Sequence, residues 1–437
     1  MNKKKIIYVI TVLTSLIILS VVFFILVKNN KSYSNPDREV LVYGDSLLEA
    51  AENDINEALV NTDNSENTKH YNREKPDEEA GDENEDTYID KNNEYNMQND
   101  SDVSDRLDES SLNQEMIPET DEIDLVDETE TISIDTYDTI TISAAGDVTL
   151  GRDENFGWER TFDHELELQN ENFAYFFNNV KHIFEADDLS IVNLETTLTT
   201  ATKKAEKKFR FKADPSYVEI LKQANIEAVS IANNHTLDFL DKGYQDTLKT
   251  LDEAGVGYYG YEHKYITEVR DIKIGVLGYY SMKATDKLKM EIEQAIDELK
   301  NEGTDLVVIM FHWGIERDYW PNSAQKELAY FSIDSGADLV LGSHPHVLQG
   351  IEEYNGKQIV YSLANFCFGG NKNPKDKDTM IYVQRFNFKN GELLSQEYDI
   401  IPCSISSVAN RNNYQPTPLE GEEAERVIKI IDKYSDF

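Results

Sequence analysis

Two histidines, His344 and His346, lie one residue apart in the stretch LGSHPHVLQG, directly after the apolar run ADLVL. A lone histidine is usually structural, but a pair at this spacing indicates a metal site if further ligands converge on it. Imidazole nitrogen is a good ligand for Zn, Fe and related ions. The chemistry of such a site would be metal-assisted displacement at an electrophilic centre.

Polar side chains end four other strand-like apolar runs. TITISAAGD ends at Asp147, LSIVNLE at Glu195 and AVSIANNH at Asn234 and His235, and LVVIMFHWG carries His312 near its end. Binding sites in α/β sheets lie outside the carboxyl ends of the strands, so we expect these groups to meet. Mixed nitrogen and oxygen ligands suit Mn, Fe or Zn rather than Ca. Each residue alone could be a buried, hydrogen-bonded polar group; together they predict a metal site.

The elements that must position these residues begin near Thr139. Apolar runs rich in Val and Ile recur from there and alternate with segments of helical spacing, such as GYQDTLKTLDEAG and DKLKMEIEQAIDELKNEG. Strand alternating with helix predicts a layered α/β fold with helices covering the sheets. We assign this domain to residues 139–411, and residues 412–437 to a C-terminal helix packed on its edge.

The N-terminal residues 1–31 have a different character. Residues 6–27 form an uncharged, mostly apolar run of 22 residues that follows three lysines. About 20 residues cross the hydrocarbon core as a helix, so we predict a cytoplasmic tail and a single transmembrane anchor. The C-terminal domain would then lie on the outer side of the cell membrane. The alternative is a cleaved signal peptide, whose apolar core is shorter and is followed by small residues.

Residues 32–138 carry most of the acidity of the chain. The chain has a net charge of −41, and this segment holds 34 acidic and 6 basic residues, a net of −28. Such a segment buries too little apolar surface to fold, which predicts a disordered linker extended by like charges. The alternative is an acidic cation-binding segment. So acidic a chain argues against a nucleic-acid partner, which would need a basic face.

The two cysteines, Cys367 and Cys403, are too few for a disulfide framework. They could form one bridge outside the cytoplasm or remain as two buried thiols.

Six motifs resemble the CapA family of poly-gamma-glutamate capsule biosynthesis proteins, whose domain is similar to the calcineurin-like metallophosphoesterases. They are AAGDVTLGR, VNLETTLT, FRFKADP, IANNHTLDFLDKG, FHWGIE and GADLVLGSHPHVLQGIEEYNGKQIVYSLANFCF. The resemblance spans residues 140–400 and implies a metallophosphoesterase-like sandwich of two mixed sheets flanked by helices. It also implies two divalent metal ions, of Mn, Fe or Zn.

Carried over by position, the resemblance assigns a role to each residue at the strand ends. The implied ligands are Asp147 and His346 for one ion, Glu195 for both, and Asn234, His312 and His344 for the other. His235 would be no ligand, but a catalytic acid or charge stabiliser. The sequence departs from the wider superfamily at Thr149, where a histidine ligand is usual, and at Glu195, where the bridging residue is Asp. It also has Ala364 where the family usually has Gly.

Further residues are predicted to act around this centre. An anionic substrate could be met by Arg152, Arg210 and Lys212. The latter two belong to the basic stretch KKAEKKFRFK, which could steer a polyanion toward the site. A surface salt bridge for Arg152 and a solvated hairpin for the stretch are the alternatives. Residues predicted to orient the ligands are Asn193, Asp238, Trp313 and Glu316. Core packing of Trp313 and a solvated Glu316 are the alternatives there.

The resemblance implies a role in synthesis, export or anchoring of an anionic capsule polymer such as poly-gamma-glutamate. The chemistry would be metal-dependent hydrolysis or transfer at a phosphoester or an amide. Expected partners are the anionic polymer or phosphoester substrate, the membrane through the N-terminal helix, and a membrane synthase complex. The alternative is a non-catalytic polyanion-binding or synthase-partner subunit with a vestigial metal site. Thr149 favours that alternative, whereas the Asn234–His235 pair disfavours it.

Overall fold

The computed structural model describes residues 135–435. The predicted anchor and all but the last four residues of the predicted linker lie outside this range. Within it, no helix combines the length and apolar character needed to cross a membrane.

Strands and helices alternate through most of the described chain. The strands are β1 (Tyr137–Thr149), β2 (Arg152–Asp153), β3 (Leu189–Leu194), β4 (Thr197–Leu198), β5 (Phe211–Ala213), β6 (Ala228–Ser230), β7 (Gly257–Tyr259), β8 (Tyr265–Val269), β9 (Ile272–Tyr280), β10 (Leu306–His312), β11 (Leu339–Ser343), β12 (Ile351–Tyr354), β13 (Lys357–Val360), β14 (Asn365–Phe368), β15 (Asp378–Lys389), β16 (Glu392–Ser404) and β17 (Thr417–Pro418). The α-helices are α1 (Phe162–Leu168), α2 (Lys181–Phe184), α3 (Val218–Gln223), α4 (Leu240–Ala254), α5 (Asp286–Asn301), α6 (Ser323–Asp334) and α7 (Gly421–Tyr434). Short 3₁₀ turns cover Phe173–Tyr175 and Pro215–Tyr217.

The larger sheet has eight strands. Their order is β17-β16-β15-β1-β3-β6-β7, and β14 pairs with β1 beyond the stretch that β15 covers. Strands β1, β3, β6 and β7 run parallel, so their carboxyl ends reach the same edge. Strand β14 is also parallel to β1 and places Asn365 opposite Asp147.

The second sheet has six strands in the order β12-β13-β11-β10-β9-β8. Its four central strands, β13, β11, β10 and β9, are parallel. The two edge strands, β8 and β12, are antiparallel to their neighbours. A third, small sheet has the order β2-β5-β4.

The two large sheets pack face to face. One buried cluster joins Ile142 and Ile191 of the larger sheet to Val308 and Leu341 of the second. Successive strand residues point to opposite faces, so Val192 instead joins a cluster under helices α1, α3 and α4. A third cluster lies between the second sheet and helices α5 and α6. Both faces of the central strands are therefore covered, which explains why those strands read as nearly continuous apolar runs.

The predicted α/β class is confirmed. Helices α4, α5 and α7 occur where helical spacing indicated them, whereas α6 and the long β15–β16 hairpin were not predicted. Helix α6 begins with a capping box in which Asn322 and Gln325 bond each other's backbone N–H groups, a local signal that the apolar pattern does not show. Cys367 and Cys403 are both free and buried.

Candidate metal centre

The predicted ligands lie at the carboxyl ends of strands in both sheets. In the larger sheet, Asp147 lies near the end of β1, and Glu195 and Asn234 follow β3 and β6. In the second sheet, His312 ends β10 and the segment His344–His346 follows β11. The face-to-face packing of the sheets brings these side chains together.

Three other candidate metal-ligand atoms surround Nε2 of His312. Asn234 Oδ1 lies 2.9 Å away, His344 Nδ1 3.0 Å away and Glu195 Oε1 3.6 Å away. Two ligand atoms that each lie about 2.1 Å from one metal ion are roughly 3–4 Å from each other. The separations of these atoms from His312 Nε2 therefore suit one divalent cation.

Asp147, Glu195 and His346 form a second group of candidate ligands. His346 Nδ1 lies 3.2 Å from Asp147 Oδ2, and His346 Nε2 lies 3.9 Å from Glu195 Oε1. Glu195 thus belongs to both groups, as the resemblance implies for a bridging residue.

The carboxylate of Glu195 indicates that a cation fits this site. The residue is fully buried, and its Oε2 accepts a hydrogen bond from the Thr149 hydroxyl at 3.0 Å. Its Oε1 has no hydrogen-bond partner among the described residues. Nitrogens of His312, His346 and His235 lie 3.6, 3.9 and 4.0 Å from that oxygen. Leaving a buried carboxylate oxygen unpartnered is costly, and a bound cation would remove the cost. These buried Glu, His and Asp groups could therefore hold a metal ion.

Burial and charge control protonation in the cluster. Burial, followed by the charge of Asp147, raises the pKa of Glu195 well above its usual range. Burial and neighbouring imidazoles lower the pKa values of His312 and His344 well below theirs. Burial also acts to lower the pKa of His346, but Glu195 and Asp147 outweigh it and raise that pKa to about 10. A cation would thus meet two neutral imidazoles and displace a proton that Glu195 and His346 hold between them.

Hydrogen bonds outside the cluster orient its ligands. Nδ1 of His312 lies 3.0 Å from Ser343 Oγ, whose hydroxyl donates to the Phe311 carbonyl at 3.3 Å. Nδ1 also lies 3.1 Å from Asn193 Nδ2, so polar groups of β11 and β3 hold the ring with Nε2 directed at the cluster. Asn193, one of the predicted orienting residues, donates from Nδ2 to Asp147 Oδ1 at 2.8 Å.

The backbone beside the ligands is closely constrained. His344 and His346 have φ values of 95° and 56°, in the left-handed region. Such conformations cost non-glycine residues about 1–3 kcal/mol and cluster at functional sites. A Cβ on Gly146 would lie 1.8 Å from the carbonyl oxygen of Ala364, which accepts the N–H of Asp147 at 2.9 Å. Glycine therefore lets β1 approach the start of β14, and that contact fixes Asp147.

His235 lies beside the cluster and is held in place by Asp238. Its Nε2 is 4.0 Å from Glu195 Oε1, and its Nδ1 is 2.7 Å from Asp238 Oδ2. Asp238 is fully buried and also pairs with Lys207 at 2.9 Å. The ring of Phe211 packs against His235, with centroids 4.2 Å apart. Burial lowers the pKa of His235, and the bond to Asp238 leaves Nε2 facing the cluster.

Two of the predicted orienting residues lie away from the ligand atoms. Trp313 is fully buried, stacks on Phe311 with centroids 4.4 Å apart, and donates to a backbone carbonyl. It shares the helix-covered core with Phe311, whereas His312 points to the opposite face of the sheet. Core packing therefore describes Trp313. Glu316 is exposed, and its charge adds to the raised pKa values of both Glu195 and His346.

The three predicted substrate-binding cations all have partners within the protein. Arg152 forms a salt bridge with Asp163 at 2.6 Å. Arg210 donates to two backbone carbonyls of its own loop, and Lys212 donates to the Ala201 carbonyl at 3.0 Å. These bonds fasten the small sheet, in which Arg152 is paired with Lys212. Substrate binding by these residues stays a prediction.

Two residues that contact the site were not predicted to do so from the sequence. Lys207 donates to the Asn234 carbonyl at 2.5 Å and pairs with Asp238. Asn365 Oδ1 lies 2.8 Å from His346 Nδ1. Asn365 follows the apolar run KQIVYSLA, so the rule that polar residues end buried strands could have found it. No local pattern distinguishes Lys207 from the other lysines of its stretch.

Comparison with known proteins gives consistent matches. Residues 141–370 match the family described as bacterial capsule synthesis protein PGA_cap. PGA biosynthesis protein CapA of Bacillus subtilis (strain 168) is 30% identical over 333 residues, which cover 70% of this chain and 82% of that protein. Capsule biosynthesis protein CapA of Bacillus anthracis is 30% identical over 296 residues, covering 61% of this chain and 67% of that protein. A probable polyglutamine synthesis accessory protein of Mycobacterium tuberculosis is 24% identical over 257 residues, covering 51% and 67%.

Proposed function

The chain belongs to the bacterial capsule synthesis protein family PGA_cap, and from that premise we propose that it acts in synthesis, export or anchoring of an anionic capsule polymer such as poly-gamma-glutamate. The names of its relatives, which refer to PGA and capsule biosynthesis, support this proposal. The apolar run at residues 6–27 supports a membrane-anchored protein with its C-terminal domain outside the cell. In that position the domain could work beside a membrane synthase.

We further propose that the domain is a metallophosphoesterase-like sandwich with two divalent cations, of Mn, Fe or Zn. The helix–sheet–sheet–helix layers and the ligands at the strand ends support this architecture. Asn234, His312 and His344 would hold one ion, and Asp147 and His346 the other, with Glu195 between them. When bound, two such ions activate a water nucleophile and stabilise the oxygens of a displacement.

The side chains of this protein would supply proton transfer and positioning for hydrolysis or transfer at a phosphoester or an amide. His235 is the candidate acid, because its Nε2 faces the cluster while Asp238 holds its Nδ1 at 2.7 Å. The neutral ring carries its proton on Nδ1 toward Asp238, so His235 would first take up a proton on Nε2 and then pass it to the leaving group. Asp238 would stabilise the imidazolium before donation, and Lys207 would balance the buried charge of Asp238.

The observation that carries this proposal is the unpartnered Oε1 of buried Glu195, which lies within 4.0 Å of three imidazole nitrogens from three different loops or strands. Hydrogen bonding inside the described protein leaves that oxygen unsatisfied, whereas a bound cation would satisfy it.

The test compares the wild type with His235→Ala after loading with Mn. The reaction is followed by phosphate release from phosphomonoesters, by alcohol release from phosphodiesters, and by new amino groups from poly-gamma-glutamate. We expect the variant to retain its metal but to lose about 100-fold or more of the rate. Equal rates for the two proteins would refute the role of His235.

A second candidate is a non-catalytic polyanion-binding or synthase-partner subunit. Thr149 favours it, because its hydroxyl donates a hydrogen bond to Glu195 Oε2 and supplies no nitrogen ligand. The group of Asp147, Glu195 and His346 therefore contains one imidazole. If the wild type and His235→Ala both bind metal and support polymer formation equally in cells, the result would favour this non-catalytic function.

A further inference from the structure

We infer that Asn365 fixes the orientation of His346, so that His346 Nε2 serves the second ligand group. This inference rests on the proposed metal centre. It assigns Asn365 as a positioning residue that compensates for the short set of nitrogen ligands around Asp147.

Asn365 lies where it can act on that group. Strand β14 begins at Asn365 and runs parallel to β1, with Asn365 directly opposite Asp147. The residue is 4% exposed. Its side-chain hydrogen bonds both go to one residue, His346: one to the ring and one to the backbone. A buried amide thus contacts both parts of a single candidate ligand.

The two bonds determine which way the amide and the imidazole are turned. Asn365 Nδ2 donates to the carbonyl oxygen of His346 at 3.3 Å, an atom that can only accept. Asn365 Oδ1 therefore faces His346 Nδ1 at 2.8 Å, and since Oδ1 also can only accept, Nδ1 carries a proton. Asp147 Oδ2, 3.2 Å from the same nitrogen, is a second acceptor that agrees with this assignment. The nitrogen left for a cation is Nε2, which lies 3.9 Å from Glu195 Oε1.

The second group needs this support more than the first. His312 and His344 are fully buried or nearly so, and each contacts the other at 3.0 Å. The side chain of His346 is 18% exposed and belongs to a group with no other imidazole. A ring that turned about its side-chain bonds would remove the one nitrogen ligand of that group. Second-sphere bonds of this kind typically change metal affinity by about 10–100-fold when removed.

The experiment uses the full-length chain with two substitutions at Asn365 and one control. Asn365→Leu keeps the volume and removes both hydrogen bonds, whereas Asn365→Asp keeps an acceptor for Nδ1. Asn412→Leu is the matched control, because Asn412 is a fully buried amide that donates to the Phe368 carbonyl at the other end of β14. Bound Mn per chain is measured by elemental analysis after dialysis against a series of free Mn concentrations.

We expect N365L to lose one of two ions at concentrations that saturate the wild type, with roughly 10–100-fold weaker binding of that ion. N365D and N412L should keep both. In Zn-loaded protein, long-range proton–nitrogen spectra should show the proton of His346 on Nδ1 in the wild type and a changed pattern in N365L. Should N365L fail to melt cooperatively, Asn365→Ser takes its place with the same expectation, since its hydroxyl is too short to reach Nδ1.

Three results would overturn the inference. N365L could bind both ions as tightly as the wild type; N412L could lose an ion to the same extent; or N365D could be as weak as N365L, which would deny the role of the acceptor. If the wild type itself binds no Mn, the proposed metal centre and the inference are both refuted. The wild-type measurement therefore separates this outcome from the three above.

Discussion

Replacing Glu195 with Gln should have opposite effects on stability with and without metal. The residue is fully buried, and its Oε1 has no hydrogen-bond partner in the described structure. Burial and the charge of Asp147 raise its pKa well above the usual range. A carboxyl whose pKa is raised in the folded state destabilises the fold once it ionises. The free energy of unfolding therefore falls as the pH rises above the pKa of the unfolded state, about 4.3. The neutral amide removes that loss, and we expect E195Q without metal to be as stable as the wild type or more stable at pH 8.

With metal the order should reverse. A ligand at about 1,000 times its Kd stabilises the folded state by about 4.1 kcal/mol. If loss of the shared carboxylate weakens binding about 100-fold, the remaining gain is about 1.4 kcal/mol, so the variant loses about 2.7 kcal/mol. For a domain of about 300 residues that difference corresponds to about 4 °C in melting temperature.

Thermal melts at pH 8 in EDTA and in Mn would measure both effects. Glu227→Gln is the control, because burial also raises the pKa of that carboxyl but its bonds go to β3 through the Ser190 N–H and not to the cluster. Addition of Mn should raise the melting temperature of E227Q by as much as that of the wild type. The reasoning is refuted if E195Q gains as many degrees from Mn as the wild type. It is equally refuted if E195Q melts far below the wild type in EDTA, since the attraction between the carboxylate and His346 would then outweigh the cost of burying the charge.

Three further predictions concern the cluster and its surroundings. Mn affinity should rise from pH 6 to pH 9, because the cation displaces a proton from His346, whose pKa is raised to about 10 by the neighbouring carboxylates. Calorimetry in two buffers of different ionisation enthalpy would detect the released proton, and a flat pH profile would contradict this. Gly146→Ala should lower the free energy of unfolding by about 3 kcal/mol or more and weaken Mn binding, because the new Cβ would lie 1.8 Å from the Ala364 carbonyl oxygen. Urea unfolding would measure the loss, and a variant as stable as the wild type would rule out the close contact. Asp187→Asn should raise the melting temperature at pH 8 but not near pH 4. Burial raises the pKa of Asp187 to about 7, so its ionisation between pH 4 and pH 7 lowers the stability of the wild type, and equal shifts at both pH values would exclude this cause.

The strand ends could be predicted because their chemistry is local. Asp147, Glu195 and His312 each interrupt or follow an apolar run, and parallel strands end at one edge of a sheet. The run lengths and the alternation with helices likewise predict the α/β class. These features depend on residues close together in the chain, so the sequence displays them directly.

The remaining features depend on contacts between distant segments. Lys207 reaches Asp238 across 31 positions, and only the folding of its loop over the site selects it from its basic neighbours. Trp313 follows His312 directly, yet strand geometry sends the two side chains to opposite faces. The hairpin β15–β16 was missed because much of β16 is exposed and polar, so it lacks the apolar signature of the buried strands.

The central claim is that Glu195 and the histidines around it hold divalent cations. The most direct test is elemental analysis of the full-length chain, purified without chelator and again after loading with Mn or Zn. We predict about two ions per chain, and fewer after substitution of His344 or His346. No bound ion after loading would contradict the claim.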